Sequence, residues 1–445
     1  MKKTLLITIL ILASVALSAH PWKPRHYVIA DTDGGLDDLK ALCMLLASPD
    51  VRVLAVTVSD GYHKSPEAYK IVRSMLDSLW HEGLPVAYGP EATALIEKCL
   101  SGETSQVSFI ALGSLETVAE AMDKSPSFMK KIKQIVWSNE GLTGEGGLNY
   151  SIAPAAVSRV LDGPLPVYVT GSGGESFYDT RVLSEIDLIF NPYAKRVASI
   201  ISDNSSHKFV FTAFDEMAPL FLHYPELFAT DTPDAKNKNY HPLDISALRE
   251  SAMLILRGET VQKMQVVKRF PADTSFYMSD IQPFIADIIK NHGEVEWVSG
   301  ILANEMHRHL GVYAIIGAKM GIRAREYFCT GVDEMTVTTH AGSTPPLSCM
   351  NDGIQVSTGA TPGHGLLTVS NEGPFVAGAD FTHKDRTIRI TLKKEFENKV
   401  SSELKEINFI YGLDSDIYWE LVRQNAIKYW LLFDRHDIFD IETIN

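Results

Sequence analysis

Short apolar runs alternate with amphipathic segments through the first half of the chain. His26–Ala30 and the β-branched run Val51–Val58 read as strands, while Asp38–Ala47 and Pro66–Trp80 carry the spacing of helices. Val107–Leu112, Ile132–Trp137, Leu165–Thr170 and Lys208–Ala213 continue as strands, with helical patterns between most of them. Such alternation predicts an α/β domain: an open, mostly parallel sheet with helices on both faces. Ligands of these sheets sit beyond the carboxyl ends of the strands. An acidic turn at Asp31–Asp38 and the later Asp215 both follow a predicted strand, so both are expected at that edge.

The pattern becomes mixed and helical between about 230 and 295, then changes again. A long helix is predicted through His307–Met320, followed by strands among Gly, Pro and Thr turns. A strand pair is expected near Gly365–Val376 and Thr387–Leu392, and the end of the chain reads as helical. The expected organisation is a larger domain over 24–290 and a smaller α+β domain over 296–445 with a helical C-terminal extension. Aromatic stripes at Tyr418-Trp419 and Tyr429-Trp430 suit core packing or an interface, so a homo-oligomer stays open.

The 445 residues fit two or three domains at about 150 residues each. With 45% hydrophobic and 22% charged residues the chain is neither disordered nor a disulfide scaffold. Lys and Arg number 41 against 55 Asp and Glu, a formal charge of −14, which excludes a nucleic-acid coat. A small-molecule partner such as a nucleoside, which carries no phosphate, is compatible with that charge. At the N-terminus, Lys2 and Lys3 precede an uncharged, largely apolar run from Thr4 to Leu17, with small residues at Ala16 and Ser18. This predicts a signal peptide over 1–19 and an exported, periplasmic protein with no membrane span once processed. Cys43, Cys99, Cys329 and Cys349 allow three pairings, and Cys43, inside an apolar run, reads as a buried free thiol.

Asp31-Thr-Asp33-Gly-Gly-Leu-Asp37-Asp38 places four carboxylates in eight residues. Like charges this dense repel unless a cation neutralises them, and oxygen-only ligands select Ca²⁺ or Mg²⁺. An EF-hand is excluded because its twelfth loop position would be Leu42 rather than Glu.

The turn resembles the Asp-x-Asp-x-Gly-x-Asp-Asp signature of the calcium-dependent nucleoside hydrolases of the inosine–uridine type, matched at Asp31, Asp33, Gly35, Asp37 and Asp38. Leu54-Ala-Val-Thr-Val-Ser, Ala111-Leu-Gly-Ser-Leu-Glu-Thr117, Leu148-Asn149-Tyr-Ser-Ile-Ala-Pro154 and Phe214-Asp215 are similar to further segments of that family. The resemblance implies that Asp33, Asp37, Asp38 and Asp215 hold Ca²⁺ together with a backbone carbonyl near Glu116. It also implies that Asp37 is the general base on the attacking water and that Asn149 binds a ribose hydroxyl. The family's His before the last Asp is Phe214, its Asn after the second strand is Tyr62, and Gly147 and Ala153 replace two acids. Tyr62, His63 and Glu145 are the candidates to serve the substrate instead. The expected function is calcium-dependent hydrolysis of an N-glycosidic bond in a nucleoside or related ribosyl compound. The alternative is a binding protein that keeps the calcium ligands without efficient turnover.

In the second half, His307 and His309 lie two apart, with Cys349 and His364 downstream, a plausible set for Zn²⁺ or another transition metal. His307-Arg-His309-Leu-Gly311 and Cys349-Met-Asn-Asp352-Gly-Ile354-Gln355-Val-Ser-Thr358-Gly359 resemble the metal-binding domain family of the formylmethanofuran dehydrogenase E component. That resemblance implies metal binding by His307, His309 and Cys349. Gly311 stands where the family's opening motif has Cys, and His364 could supply the missing ligand.

Overall fold

The computed structural model describes residues 23–139, 147–171, 176–259, 266–267, 270–271 and 273–444. The predicted signal peptide at 1–19 lies outside the described residues. Strands β1 (His26–Thr32), β2 (Val51–Val58), β3 (Val86–Tyr88), β4 (Val107–Ala111), β5 (Ile132–Ser138), β6 (Val167–Thr170), β7 (Phe228–Thr230) and β8 (Lys238–Pro242) form one sheet. Its order is β3-β2-β1-β4-β5-β6-β8-β7. All neighbours run parallel except β7 and β8.

Strand alternation explains how two layers of helix are held. Val28, Ala30, Ile110 and Val136 face a core built with Leu39, Leu42, Val197, Leu220 and Met253 from the helices on one side. Ile29, Phe109, Ile135 and Trp137 face the other, with Ile96, Leu100, Val118 and Val160. Side chains of successive strand residues point to opposite faces, so a strand covered on both sides must be apolar at nearly every position. The parallel direction puts the ends of β1, β4, β5 and β6 at one edge.

Two expectations in this domain are corrected. Lys208–Ala213 is not a strand; Lys208–Phe211 is a 3₁₀ turn, with only an isolated bridge between Thr212 and Ser176. Two carbonyls here are met by a side chain, the Lys40 ammonium donating to Val210 O (3.0 Å) and Thr212 O (3.2 Å), while Phe211 O accepts from the Phe177 and Tyr178 amides. The place beside β6 is filled by β8, which lies in the polar stretch 234–240 and its sequel and escaped the apolar pattern because it is only half-buried.

The chain divides into two units, one over 24–276 with 326–330 and the other over 277–325 and 331–445. The division thus falls earlier than expected, since the Ile285–His292 helix packs with the helices Glu294–His307 and Asp416–Leu432. The expected long helix through 307–320 is two helices, Glu294–His307 and Val312–Phe328, parted at Arg308, whose φ of 70° is left-handed. In this unit β9 (Thr336–Thr339), β10 (Leu367–Val369), β11 (Gly378–His383), β12 (Arg386–Leu392) and β13 (Phe439–Thr443) form a second sheet, ordered β10-β9-β11-β12-β13. The hairpin partner of β12 is β11 rather than the predicted strand near 365–376, of which only Leu367–Val369 forms, beside β9. The C-terminal extension has two helices, Lys394–Tyr411 and Asp416–Leu432, but closes on a strand. Among the described residues none of the four cysteines forms a disulfide, and burial pushes the Cys43 thiol up to about 12. Among the described residues no helix is long and apolar enough to cross a membrane.

Candidate functional site

A cavity of about 330 Å³ opens at the carboxyl edge of the large sheet. The acidic turn enters it from β1. Thr32 Oγ1 and the Asp33 amide both donate to Asp38 Oδ1, at 2.6 and 2.9 Å. The Gly35 and Tyr62 amides donate to the two oxygens of Asp33, at 3.1 and 3.0 Å. Gly35 caps the Leu36–Ala47 helix, whose first turn carries Asp37 and Asp38, where the helix dipole favours negative charge. Asp215 arrives from a segment far along the chain, and ligand oxygens of Asp37, Asp38 and Asp215 lie within 4.8 Å of one another.

The turn needs its glycine for space. A Cβ on Gly35 would lie 2.9 Å from both Asp37 Oδ1 and Asp38 Oδ2 and 3.3 Å from Asp33 Oδ1. Three carboxylates therefore point at a place that only a missing side chain leaves open.

Electrostatics make the cluster costly by itself. Burial raises the Asp33, Asp38 and Asp215 carboxyls above the usual range, and neighbouring carboxylates raise them further. Among the described residues no Lys or Arg pairs with any of the four lining acids Asp33, Asp37, Asp38 and Asp215. Buried, uncompensated hard oxygens fit a divalent cation of the Ca²⁺ or Mg²⁺ type. Asp31 is different: its carboxylate accepts from Thr57 Oγ1 (2.6 Å) and Ser59 Oγ (2.7 Å) and does not line the cavity. Burial pushes it up to about 7.

The other predicted residues divide. Asn149 lines the cavity; its Nδ2 is held by Leu112 O (2.6 Å) and Ser138 O (2.9 Å), so Oδ1 remains for a hydroxyl donor. Tyr62 also lines it and is 63% exposed. His63 does not; its ring turns to Glu67 at 3.6 Å. Glu145 lies outside the described residues. Glu116 opens the Glu116–Lys124 helix and is not among the lining residues, whereas Leu112 and Ser138, which follow or end β4 and β5, line the cavity and hold Asn149 through their carbonyls. Phe214 lines the wall with Phe209. Sequence reasoning missed Phe209, Ser138 and Thr170, whose buried hydroxyl has no partner among the described residues. The strand ends at Ser138 and Thr170 were the available signal.

The second unit holds a smaller constellation. The left-handed turn at Arg308 folds His309 back on His307, with ring centroids 4.1 Å apart. Asp352 Oδ2 takes His307 Nδ1 at 2.7 Å, and His307 Nε2 is buried with no partner among the described residues. A Cβ on Gly311 would lie 3.5 Å from that Nε2 and 3.6 Å from His309 Nε2, so both nitrogens border one small space. Burial, then Asp352, pushes the Cys349 thiol up to about 11. His364 is exposed and bonded elsewhere, to Asp333 (3.4 Å) and Gly359 O (3.3 Å). Among the described residues the expected set of His307, His309, Cys349 and His364 does not close on one point. The Arg308 turn brings the two histidine rings together, with His307 half-buried and His309 exposed, whereas His364 sits exposed on a separate loop.

Two family models match this chain. Residues 28–98 match that of the inosine-uridine preferring nucleoside hydrolases, and residues 306–412 match FmdE, of the molybdenum formylmethanofuran dehydrogenase operon. The chain is 26% identical over 305 residues to the probable uridine nucleosidase 2 of Oryza sativa subsp. japonica, covering 58% of this chain and 88% of that protein. It is 25% identical over 255 residues to a pyrimidine-specific ribonucleoside hydrolase of Citrobacter koseri, covering 46% and 81%. An inosine-uridine preferring nucleoside hydrolase structure from Bacillus anthracis aligns with a TM-score of 0.44 and 15% identity, over 52% of this chain and 99% of that one.

Proposed function

We propose that this hydrolase, which joins a nucleoside hydrolase domain to an FmdE-type domain, cleaves the N-glycosidic bond of a nucleoside or related ribosyl compound with the help of Ca²⁺. Asp33, Asp37, Asp38 and Asp215 would hold the ion. The observation that carries this reading is the convergence of Asp37, Asp38 and Asp215 within 4.8 Å with no cationic side chain paired to them among the described residues. A bound divalent cation compensates the buried charge and makes a neighbouring water more acidic.

The chain's own residues supply the rest. Asp37, at the open end of its helix, accepts a proton from the water that attacks the anomeric carbon. The carbon–nitrogen bond breaks with its electron pair moving to the base, through an oxocarbenium-like state that the surrounding carboxylates favour. Asn149 Oδ1 accepts from a ribose hydroxyl, and Phe209 and Phe214 pack against the departing base. In the second unit His307 and His309 would take Zn²⁺ or a similar ion, with Cys349 as a further candidate. The buried, unpartnered Nε2 of His307 supports that assignment, and Asp352 fixes the tautomer that leaves Nε2 as a ligand. Export to the periplasm belongs to the same proposal.

The test is release of reducing sugar from uridine, inosine and other nucleosides, with calcium and with a chelator. Turnover is expected only with calcium, and Asp37→Asn should lower kcat by about 10²–10⁴-fold. A wild-type protein that binds calcium and nucleoside yet releases no sugar would be a binding protein that keeps the calcium ligands without turnover.

A further inference from the structure

Beneath the cavity lies a set of buried charges that none of these steps uses. Lys40 and Glu216 are essentially inaccessible, at 1% and 0% side-chain exposure, with Lys40 Nζ 2.7 Å from Glu216 Oε1. The remaining donors of Lys40 go to Val210 O and Thr212 O. Tyr178 OH donates to the same Glu216 Oε1 at 2.7 Å, and the Phe214 amide donates to Glu216 Oε2 at 3.1 Å. The Tyr178 ring also lies under the ammonium, 4.6 Å from it. Three ammonium donors and both carboxylate oxygens are thus satisfied, so the network is closed.

Its position gives it a purpose. Lys40 sits on the helix whose first turn bears Asp37 and Asp38, and Glu216 directly follows Asp215. Lys40 grips the 208–212 turn at two carbonyls, while Glu216 holds the amide of Phe214. When both are ionised, Asp38 and Asp215 push these two segments apart in a low-dielectric interior. An ion pair just below draws the same two segments together. General stability explains such a pair poorly, since apolar replacements of buried ion pairs are often neutral or stabilising.

We propose that Lys40, Glu216 and Tyr178 are positioning residues that clamp the Asp215 segment to the Asp37–Asp38 helix, holding the carboxylates ready for a divalent cation. The clamp rests on the calcium reading of the site, and the experiment separates the two. Calcium chloride is titrated calorimetrically into the chelator-stripped full chain, as wild type, as Glu216→Asp and as the neutral pair Lys40→Met/Glu216→Gln. Glu216→Asp keeps the charge and shortens its reach by one methylene. Both variants should bind calcium about 10-fold more weakly, the scale of coupling between residues of one network. The calcium concentration for half-maximal uridine hydrolysis should rise in parallel, with kcat at saturating calcium close to wild type. Melting without calcium, followed in the same samples, should stay near wild type for Glu216→Asp. Unchanged calcium affinity in Glu216→Asp, or in a folded neutral pair, overturns the clamp while leaving the calcium reading standing. A wild-type protein that takes up no calcium overturns the calcium reading itself, and the clamp with it.

Discussion

At Gly35 and Phe214 single side chains decide what the cavity can do. Gly35 is needed because a Cβ would stand 2.9 Å from two carboxylate oxygens. Gly35→Ala should therefore weaken calcium binding by about 10–100-fold, the range seen when the support of a metal ligand is disturbed. Calorimetric titration checks this, and an unchanged affinity would mean the carboxylates do not converge on an ion there. Phe214 presents an apolar ring where a departing base would gain from a proton donor. Phe214→His should raise kcat on nucleosides whose base leaves poorly by about 10-fold or more, toward the 10²–10⁴-fold that general acids supply. The gain should fade above the imidazole pKa, giving the variant a descending alkaline limb in its pH profile.

Within β1, two titratable residues pull stability in opposite directions. His26, at its start, has both ring nitrogens buried with no partner among the described residues, beside the His223 ring. Burial, then His223, lowers it to about 3. A folded pKa below the unfolded value of 6.5 means the unfolded chain binds more protons, so this contribution is present above pH 6.5 and lost as pH falls toward 3. Asp31, at the other end, is pushed by burial from 3.8 to about 7. Here the folded chain binds more protons, so its contribution is present below pH 3.8 and lost as pH rises toward 7. His26→Phe should flatten the fall of the melting temperature between pH 6 and 4 (about the His window). Asp31→Asn should flatten the fall between roughly pH 5 and 7, and added calcium should not mimic it because Asp31 lies off the cavity. Melting curves across that range, with and without calcium, test both.

The whole molecule carries two candidate metal sites in two separate units, with different donors. Carboxylates in the first suit a hard ion, while imidazoles in the second suit a transition metal. The sites should separate experimentally. A calcium-selective chelator should abolish nucleoside hydrolysis while leaving bound transition metal in place. His307→Ala with His309→Ala should remove about one equivalent of transition metal, by elemental analysis, with hydrolysis at saturating calcium unchanged. Loss of hydrolysis in that variant would tie the second site to the first reaction.

The amino-acid order alone determined the open α/β sheet, since β1, β2, β4, β5 and β6 are short, largely apolar runs alternating with helical patterns, which a parallel sheet covered on both faces explains. It also determined the acidic turn, because four carboxylates in eight residues are legible without coordinates. The family resemblance already named Asp33, Asp37, Asp38 and Asp215; only the tertiary structure showed what holds Asp31 off the cavity, namely Thr57 and Ser59, and that Asp215 arrives after a 3₁₀ turn instead of the expected strand. The tertiary structure likewise separated His364 from the histidine pair and brought Lys40 onto Glu216. Periodicity reports which residues are buried; it is blind to pairings between distant segments, whose energy depends on side-chain geometry that no local pattern encodes.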